Sequence, residues 1–393
     1  TTSRVHTAVK IAPHYDGPVV YVPDASRSVS VAQSLLSDNA AKYIAELNTD
    51  YDKVRHQHAN KKQTPMWPLE RARANKTPID WSHYTPPTPK FTGKRLFRNF
   101  DLAELAKYID WGPFFQTWDL AGPFPAILKD EVVGTEAVRV YADGQRMLKR
   151  LVEGRWLTAN AVVGLYPANT VNDDDIEIYT DASRTEVAMT WYGMRQQTEK
   201  QMIDGVMRPS RCLADFIAPK SSGLQDFIGL FAVTTGIGVD KKEQYFLDDH
   251  DDYSAIMLKA LADRLAEAFA EYLHQRVRTD LWGYAPDEAA SLGVNDLIAE
   301  KYRGIRPAPG YPACPDHSVK RDMFNLLRCD EIGMTLTDSL AMMPAASVSG
   351  FYLAHPESTY FNVGKIGEDQ LADMVRRRGM EAAELKRLVG SNL

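Results

Sequence analysis

Asp252-Tyr253-Ser254-Ala255-Ile256-Met257-Leu258-Lys259-Ala260-Leu261-Ala262-Asp263-Arg264-Leu265-Ala266-Glu267-Ala268-Phe269-Ala270-Glu271-Tyr272-Leu273 is the stretch on which the fold turns. Tyr253, Met257, Leu261, Leu265, Phe269 and Leu273 recur at four-residue steps, the stripe of one long helix running to Arg278. At 1.5 Å per residue it extends roughly 40 Å. A helix of that length is expected to lie across a sheet as a spine. Strands are available for it: Val162-Val163-Gly164-Leu165-Tyr166, Ile176-Glu177-Ile178-Tyr179 and the run Phe227 to Thr235 are short, apolar and rich in β-branched and aromatic residues. The first two flank a turn predicted from Ala168 to Asp175. From Phe97 onward the composition is that of one mixed domain of helices and strands.

Outward from this centre, 393 residues are too many for one small core and imply two or three folding units. With 44% hydrophobic and 25% charged residues the chain is of ordinary globular composition, which excludes a disordered or fibrous class. Lys and Arg number 46 against 52 Asp and Glu, a net charge of −6 without a basic block, so nucleic acid is not an expected partner. Cys212, Cys314 and Cys329 match neither a disulfide framework nor a paired Cys-x-x-Cys knuckle, which favours the reducing cytoplasm. No apolar run nears the roughly 20 residues that span a bilayer, so no membrane association is expected. The first residues lack a secretory plan and an initiating Met, and residue 1 is expected to lie inside a longer natural chain.

At the start, Pro18-Val19-Val20-Tyr21-Val22, then Asp24 to Arg27, then Val29, Val31, Ala32, Leu35 and Leu36 read as strand, turn and helix. A charged helical stretch from about Asn39 to Lys62 follows. Prolines at 65, 68, 78, 86, 87 and 89 oppose helix and interior strand, so residues 63–95 read as an extended linker anchored by Trp67, Trp81 and Tyr84. The expected divisions are 1–40, 41–95 and 96–393.

Several stretches hold residues able to do chemistry, and each also has a plain structural reading. Thr234-Thr235-Gly236-Ile237-Gly238 follows a strand as a dinucleotide fingerprint would, but it lacks the third glycine and a helix start, and a turning strand end is the better reading. Cys314 and His317 make half a metal site without its other half; a zinc hydrolase built on them would hold stoichiometric metal, and none is expected. Arg306-Pro307-Ala308-Pro309-Gly310-Tyr311-Pro312-Ala313-Cys314-Pro315 has four prolines, a stiff backbone unable to satisfy its own polar groups locally. It is either a rigid surface loop or a ligand platform, offering an arginine for a carboxylate, backbone for a purine edge and a tyrosine face. Asp110, among Tyr108, Ile109 and Trp111, needs a cation or donors, supplied by an internal salt bridge or by a ligand. Glu267 is flanked by Ala266 and Ala268, which leave its carboxylate accessible, though a solvated helix face is its default reading, and Glu271 one turn on reads as an ordinary helix acid. Arg195-Gln196-Gln197-Thr198-Glu199-Lys200 reads as a solvated helix face, and Tyr360-Phe361 as packing more readily than as a ligand contact.

Together and in order these stretches resemble the C-terminal reactivation domain of cobalamin-dependent methionine synthase. The resemblance rests on His6-Thr7-Ala8-Val9-Lys10-Ile11, Tyr108-Ile109-Asp110-Trp111, Arg195 to Lys200, Lys259 to Phe269, Gly304-Ile305-Arg306 through Pro315, and Ala346-Ser347-Val348-Ser349-Gly350. It implies an α+β fold, a mixed domain with a central antiparallel sheet and surrounding helices, preceded by a strand-helix remnant of a Rossmann-like cobalamin-binding domain. It implies a repair reaction, in which inactive cob(II)alamin returns to methylcobalamin with one electron and a methyl group from S-adenosylmethionine.

Carried over by position, Arg306 is the arginine that holds S-adenosylmethionine, Ala308 and its backbone meet adenine, and Asp110 is the acid near the amino end. Tyr360 and Phe361 are the aromatic contact and Glu267 a helix acid facing the site. Phe361 stands where a second Tyr is common, which keeps the ring and removes a hydroxyl. Ala25 is expected to line the cobalamin and Tyr311 to approach the corrin. No general base or other catalytic side chain is expected, because cobalt is the nucleophile and alignment is the protein's task. The Asp-x-His-x-x-Gly signature of the lower axial histidine is not in the sequence, nor are the homocysteine and folate barrels. The resemblance therefore implies the remaining methionine synthase domains as partners, with a flavodoxin or flavin reductase as electron donor. The alternative is a non-catalytic module that senses S-adenosylmethionine and docks the flavoprotein.

Overall fold

Asp251 starts the long helix, its side chain accepting the Ser254 N–H at 3.0 Å, and the helix runs Asp252–Arg276 before one π-helical turn, Val277–Leu281. The computed structural model describes residues 3–23, 28–59 and 65–393. They divide into two units, Thr1–Pro65 and Met66–Leu393.

The second unit is built on a six-stranded antiparallel sheet. Its first strands are β1 (Gly93–Phe100), β2 (Thr158–Val171), β3 (Asp175–Tyr179) and β4 (Val187–Tyr192). A small hairpin, β5 (Met202–Ile203) and β6 (Val206–Met207), stands outside the sheet. Next comes β7 (Asp226–Ile237), then a second hairpin, β8 (Thr335–Leu336) and β9 (Met342–Met343), and last β10 (Ser347–Tyr352). The order is β10-β7-β2-β3-β4, with β1 also on β2. Strand β2 runs on to Val171, so the turn expected over 168–175 shrinks to Asn172-Asp173-Asp174, the first two with φ of 50° and 65°.

Both faces of the sheet are covered, and strand alternation decides which side chain goes where. Val163, Leu165, Phe231 and Val233 pack against the long helix, while Val162, Leu230 and Ala232 pack against Met323, Phe324 and Leu327 of the helix Val319–Leu327. Covering on two sides explains why β2 and β7 are apolar almost throughout. The long helix is itself covered on more than the predicted stripe: Ala255, Ala262, Ala266 and Ala270 are buried beside the large residues. Beyond Gly238 a helix does follow the glycine-rich stretch, Val239–Asp248, and Gly238 has φ of +100°. A Cβ there would stand 2.6 Å from the Trp156 carbonyl oxygen, so the glycine serves a close backbone approach.

The Pro-rich stretch after Met66 lies on this unit. Trp67 is buried and its N–H donates to the Gln197 carbonyl at 2.7 Å; Trp81 and Tyr84 meet the ring of His355 at 5.0 and 4.4 Å.

In the first unit the helices Ser28–Leu36 and Ala40–Ala59 form. The strand expected at Pro18–Val22 does not: no described strand lies beside it to complete a ladder, and the Tyr21 N–H is taken by the Tyr51 hydroxyl at 2.9 Å. Ala25 lies outside the described residues.

Candidate ligand cleft

The proline-dense segment is pinned at its base to β10. Ile305 and Leu353 exchange backbone hydrogen bonds of 3.1 and 3.0 Å, and the Phe351 N–H donates to the Pro307 carbonyl at 2.9 Å. Gly350 permits this approach, since a Cβ on it would lie 2.6 Å from that carbonyl oxygen. Beyond Pro307 the chain turns on itself: Tyr311 N–H to Ala308 C=O at 3.2 Å, Gly310 N–H to Cys314 C=O at 2.8 Å, Cys314 N–H to Tyr311 C=O at 2.9 Å. The expectation that this backbone goes unsatisfied locally is therefore corrected. Three hydrogen bonds close within the segment and the Pro307 and Pro312 carbonyls accept from Phe351 and Val363, while among the described residues the N–H groups of Ala308 and Ala313 are left without a partner.

The segment forms one wall of a cleft of about 520 Å³, a size suited to a small ligand. Arg306, Ala308, Tyr311, Glu267, Tyr360 and Phe361 all line it, so the structure brings together six positions spread over nearly a hundred residues. Tyr311 stands out at 60% exposure. Asp110 does not line the cleft; it is half-buried, and its Oδ1 accepts the Gly112 N–H at 2.9 Å. Sequence reasoning missed Glu300, Phe231, Val348 and Asn362, which also line it. Phe231 carried only a strand signal, Val348 only its place in the stretch Ala346 to Gly350, and Glu300 sits just before Lys301 and Tyr302 with a φ of 55° that nothing in its neighbours announces.

Arg306 is the most heavily engaged of these side chains. Its Nη2 is 2.7 Å from Glu271 Oε2, its Nη1 reaches His274 Nδ1 and the Tyr302 hydroxyl at 3.3 Å each, and its backbone N–H donates to the Tyr360 hydroxyl at 3.0 Å. Burial works against its charge, but Glu271 and the surrounding phenols outweigh that and raise its pKa above the ordinary value. His274 is driven the other way, well below the usual imidazole range, by burial and then by Arg278 and Arg306. Glu271 is thus not an ordinary helix acid: it is 6% exposed and is the ion-pair partner of Arg306.

One other expectation changes. Arg195 to Lys200 is neither helical nor solvated at its core. Arg195 is fully buried between Asp174 and Asp215, at 2.7 and 2.8 Å, and Gln197 is buried with it. Cys314 is buried and accepts the Trp191 indole N–H at 3.4 Å, and burial pushes its thiol up to about 12. Among the described residues no group of three or more His, Cys, Asp or Glu side chains is placed to hold a metal ion, and no helix is long and apolar enough to cross a membrane.

Residues 101–379 match the family model described as vitamin B12 dependent methionine synthase, activation domain. The chain belongs to that family. A solved structure described as the crystal structure of the MetH reactivation domain bound to AdoHcy is 51% identical, with a TM-score of 0.80, over 84% of this chain and 99% of that one. The α+β fold with its helix-flanked antiparallel sheet is the fold of this activation domain, and a dependence on vitamin B12 comes with the family.

Proposed function

We propose that this chain carries out the reductive reactivation of cob(II)alamin to methylcobalamin with S-adenosylmethionine as methyl donor, as part of a cobalamin-dependent methionine synthase acting in the cytoplasm. One observation carries the reading: Glu267, Arg306, Ala308, Tyr360 and Phe361, named from separate stretches of sequence, converge on a single cleft in a chain of this family. The related domain described as bound to AdoHcy supports it.

The donor's groups find chemical counterparts in the cleft. Arg306 takes the carboxylate through charge-assisted hydrogen bonds. The Ala308 N–H, still without a partner, offers a donor to the purine edge, and Tyr360 and Phe361 supply ring surface. Glu267 and Glu300 give the sulfonium an acidic surrounding. The part of Asp110 as the acid for the ammonium rests on the resemblance alone, because the cleft does not include it.

Tyr311, exposed on the rim, is the residue we assign to approach the corrin; in this reading the remaining methionine synthase domains hold the cofactor, which supplies the atom that accepts the methyl. This chain's residues bind the donor, fix its orientation and present its methyl outward, a contribution of alignment. A flavodoxin or flavin reductase provides the electron.

Calorimetric titration of S-adenosylmethionine into wild type and Arg306→Ala tests the assignment. Loss of a charge-assisted bond costs about 1.5 to 3 kcal/mol, a drop in affinity of about 10- to 150-fold. Unchanged affinity removes Arg306 from the site. Label passing from S-adenosylmethionine to added cofactor in the presence of reductant separates turnover from binding alone.

A further inference from the structure

Arg306 has five N–H donors on its guanidinium. Three are used inside the protein, on Glu271, His274 and the Tyr302 hydroxyl, which leaves two for a ligand. Because His274 accepts through Nδ1, its proton resides on Nε2 and the ring is neutral. Among the described residues Glu271 is therefore the only anionic partner of Arg306, and its other oxygen, Oε1, is buried without a partner of its own.

A carboxylate entering the cleft thus meets a guanidinium whose charge is already balanced. The remaining charged side chains on the lining are Glu267 and Glu300; behind it Arg278 is neutralised by Glu288 at 2.6 Å, and Arg264 is near enough to act on Tyr311, so with Glu271 beneath the arginine three acids stand against Arg306 and Arg264. We propose that Glu271 is a specificity-determining positioning residue: as the resident counter-ion of Arg306 it holds the guanidinium in place and biases the cleft toward a ligand that brings net positive charge along with its carboxylate. This rests on the reading above that the cleft takes S-adenosylmethionine, whose ammonium and sulfonium together exceed its carboxylate. It adds the source of a preference for the charged sulfonium over the neutral thioether S-adenosylhomocysteine. Glu271 touches neither ligand in this account and acts through Arg306 and through the field it adds.

The test is calorimetry on the full chain with both ligands, for wild type, Glu271→Gln and Glu271→Asp. Glu271→Gln is expected to lower the preference for S-adenosylmethionine over S-adenosylhomocysteine about six- to sevenfold, the effect of removing one charge taken to act over about 10 Å at an effective dielectric of about 30. Glu271→Asp, which keeps the charge, is expected to restore the wild-type ratio. Weakening of both ligands by the same factor in Glu271→Gln would make the residue merely structural and overturn the proposal. Since removing the counter-ion of a buried arginine endangers folding, a second measurement uses wild type alone. Added salt is expected to weaken S-adenosylmethionine more than S-adenosylhomocysteine, and equal salt dependence also overturns the proposal. If wild type binds neither ligand, the function proposed above fails instead.

Discussion

Replacing Arg195 with Met keeps the length of the side chain and deletes its charge at the most buried ionic centre of the second unit. Arg195 Nε lies 2.7 Å from Asp174 and Nη2 lies 2.8 Å from Asp215; Nη1 donates to the Ser210 carbonyl at 2.7 Å and Nη2 to the Asp173 carbonyl at 3.1 Å. After the change Asp174 still has Arg73, at 2.7 Å. Asp215 retains the Thr77 hydroxyl at 2.8 Å and the Cys212 N–H at 3.1 Å but no cation. Breaking a buried pair from one side costs about 3 to 5 kcal/mol, and the surviving partners place this case toward the lower end, about 3 kcal/mol. With an unfolding entropy of about 2.1 cal/mol/K per residue over a unit of about 330 residues, the melting temperature falls by about 4 °C. Differential scanning calorimetry at neutral pH measures it. The double variant Arg195→Met/Asp215→Asn is expected to melt above the single one, because no bare carboxylate remains. A single-variant shift under about 1 °C, or a double variant that melts lower still, refutes the reasoning that the cation is there to neutralise Asp215.

Two further outcomes follow from particular contacts. Burial pushes Asp226 up to about 6, against the Ala218 and Phe227 N–H groups, which it accepts at 2.8 and 2.7 Å, and against Arg184. A folded-state pKa above the unfolded one means that the native state binds the extra proton between about pH 4 and 6. Stability from this group is therefore greatest at the acid end and is lost as pH rises through about 6, by about 2 to 3 kcal/mol. Asp226→Asn should remove that slope, so denaturant midpoints of wild type and variant, compared from pH 4 to 7, diverge with rising pH; parallel curves count against it. Gly350→Ala pushes a methyl group against the Pro307 carbonyl, 2.6 Å away, and must displace the segment that holds Arg306. Overpacking of this kind costs about 1 to 3 kcal/mol in stability, and affinity for S-adenosylmethionine is expected to fall at least about tenfold. Retained affinity shows that β10 does not set the position of Arg306.

What the sequence made legible was carried by local pattern. The four-residue stride from Tyr253 to Leu273 is a statement about one face of one helix, and that face is buried as the stride requires. The prolines from 307 to 315 limit the backbone whatever surrounds them, so a rigid wall beside Arg306 was readable without a partner in view. Pro18–Val22 marks the limit of such reading, since its β-branched residues are permissive for a strand but a strand also needs a neighbour to bond.

Arg195 and Glu271 were misread for one further reason. A charged side chain within a polar run or on a helix is assigned to solvent by default, because burying it unpaired is expensive. What reverses that default is an opposite charge brought up by folding, and here the partners are remote along the chain. Asp174 reaches Arg195 from the turn between β2 and β3, and Arg306 reaches Glu271 from the segment pinned to β10. Neither pairing has a period or a motif. Each exists because the fold brings a remote segment against one buried charge, two of them at Arg195 and one at Glu271, so these charge centres are properties of topology. Glu267, Arg306, Ala308, Tyr311, Tyr360 and Phe361 were named for the site through the resemblance and line the cleft, Glu300, Phe231, Val348 and Asn362 were not named for it, and the counter-ion of Arg306 emerged only once β10 was seen to bring the proline segment over the long helix.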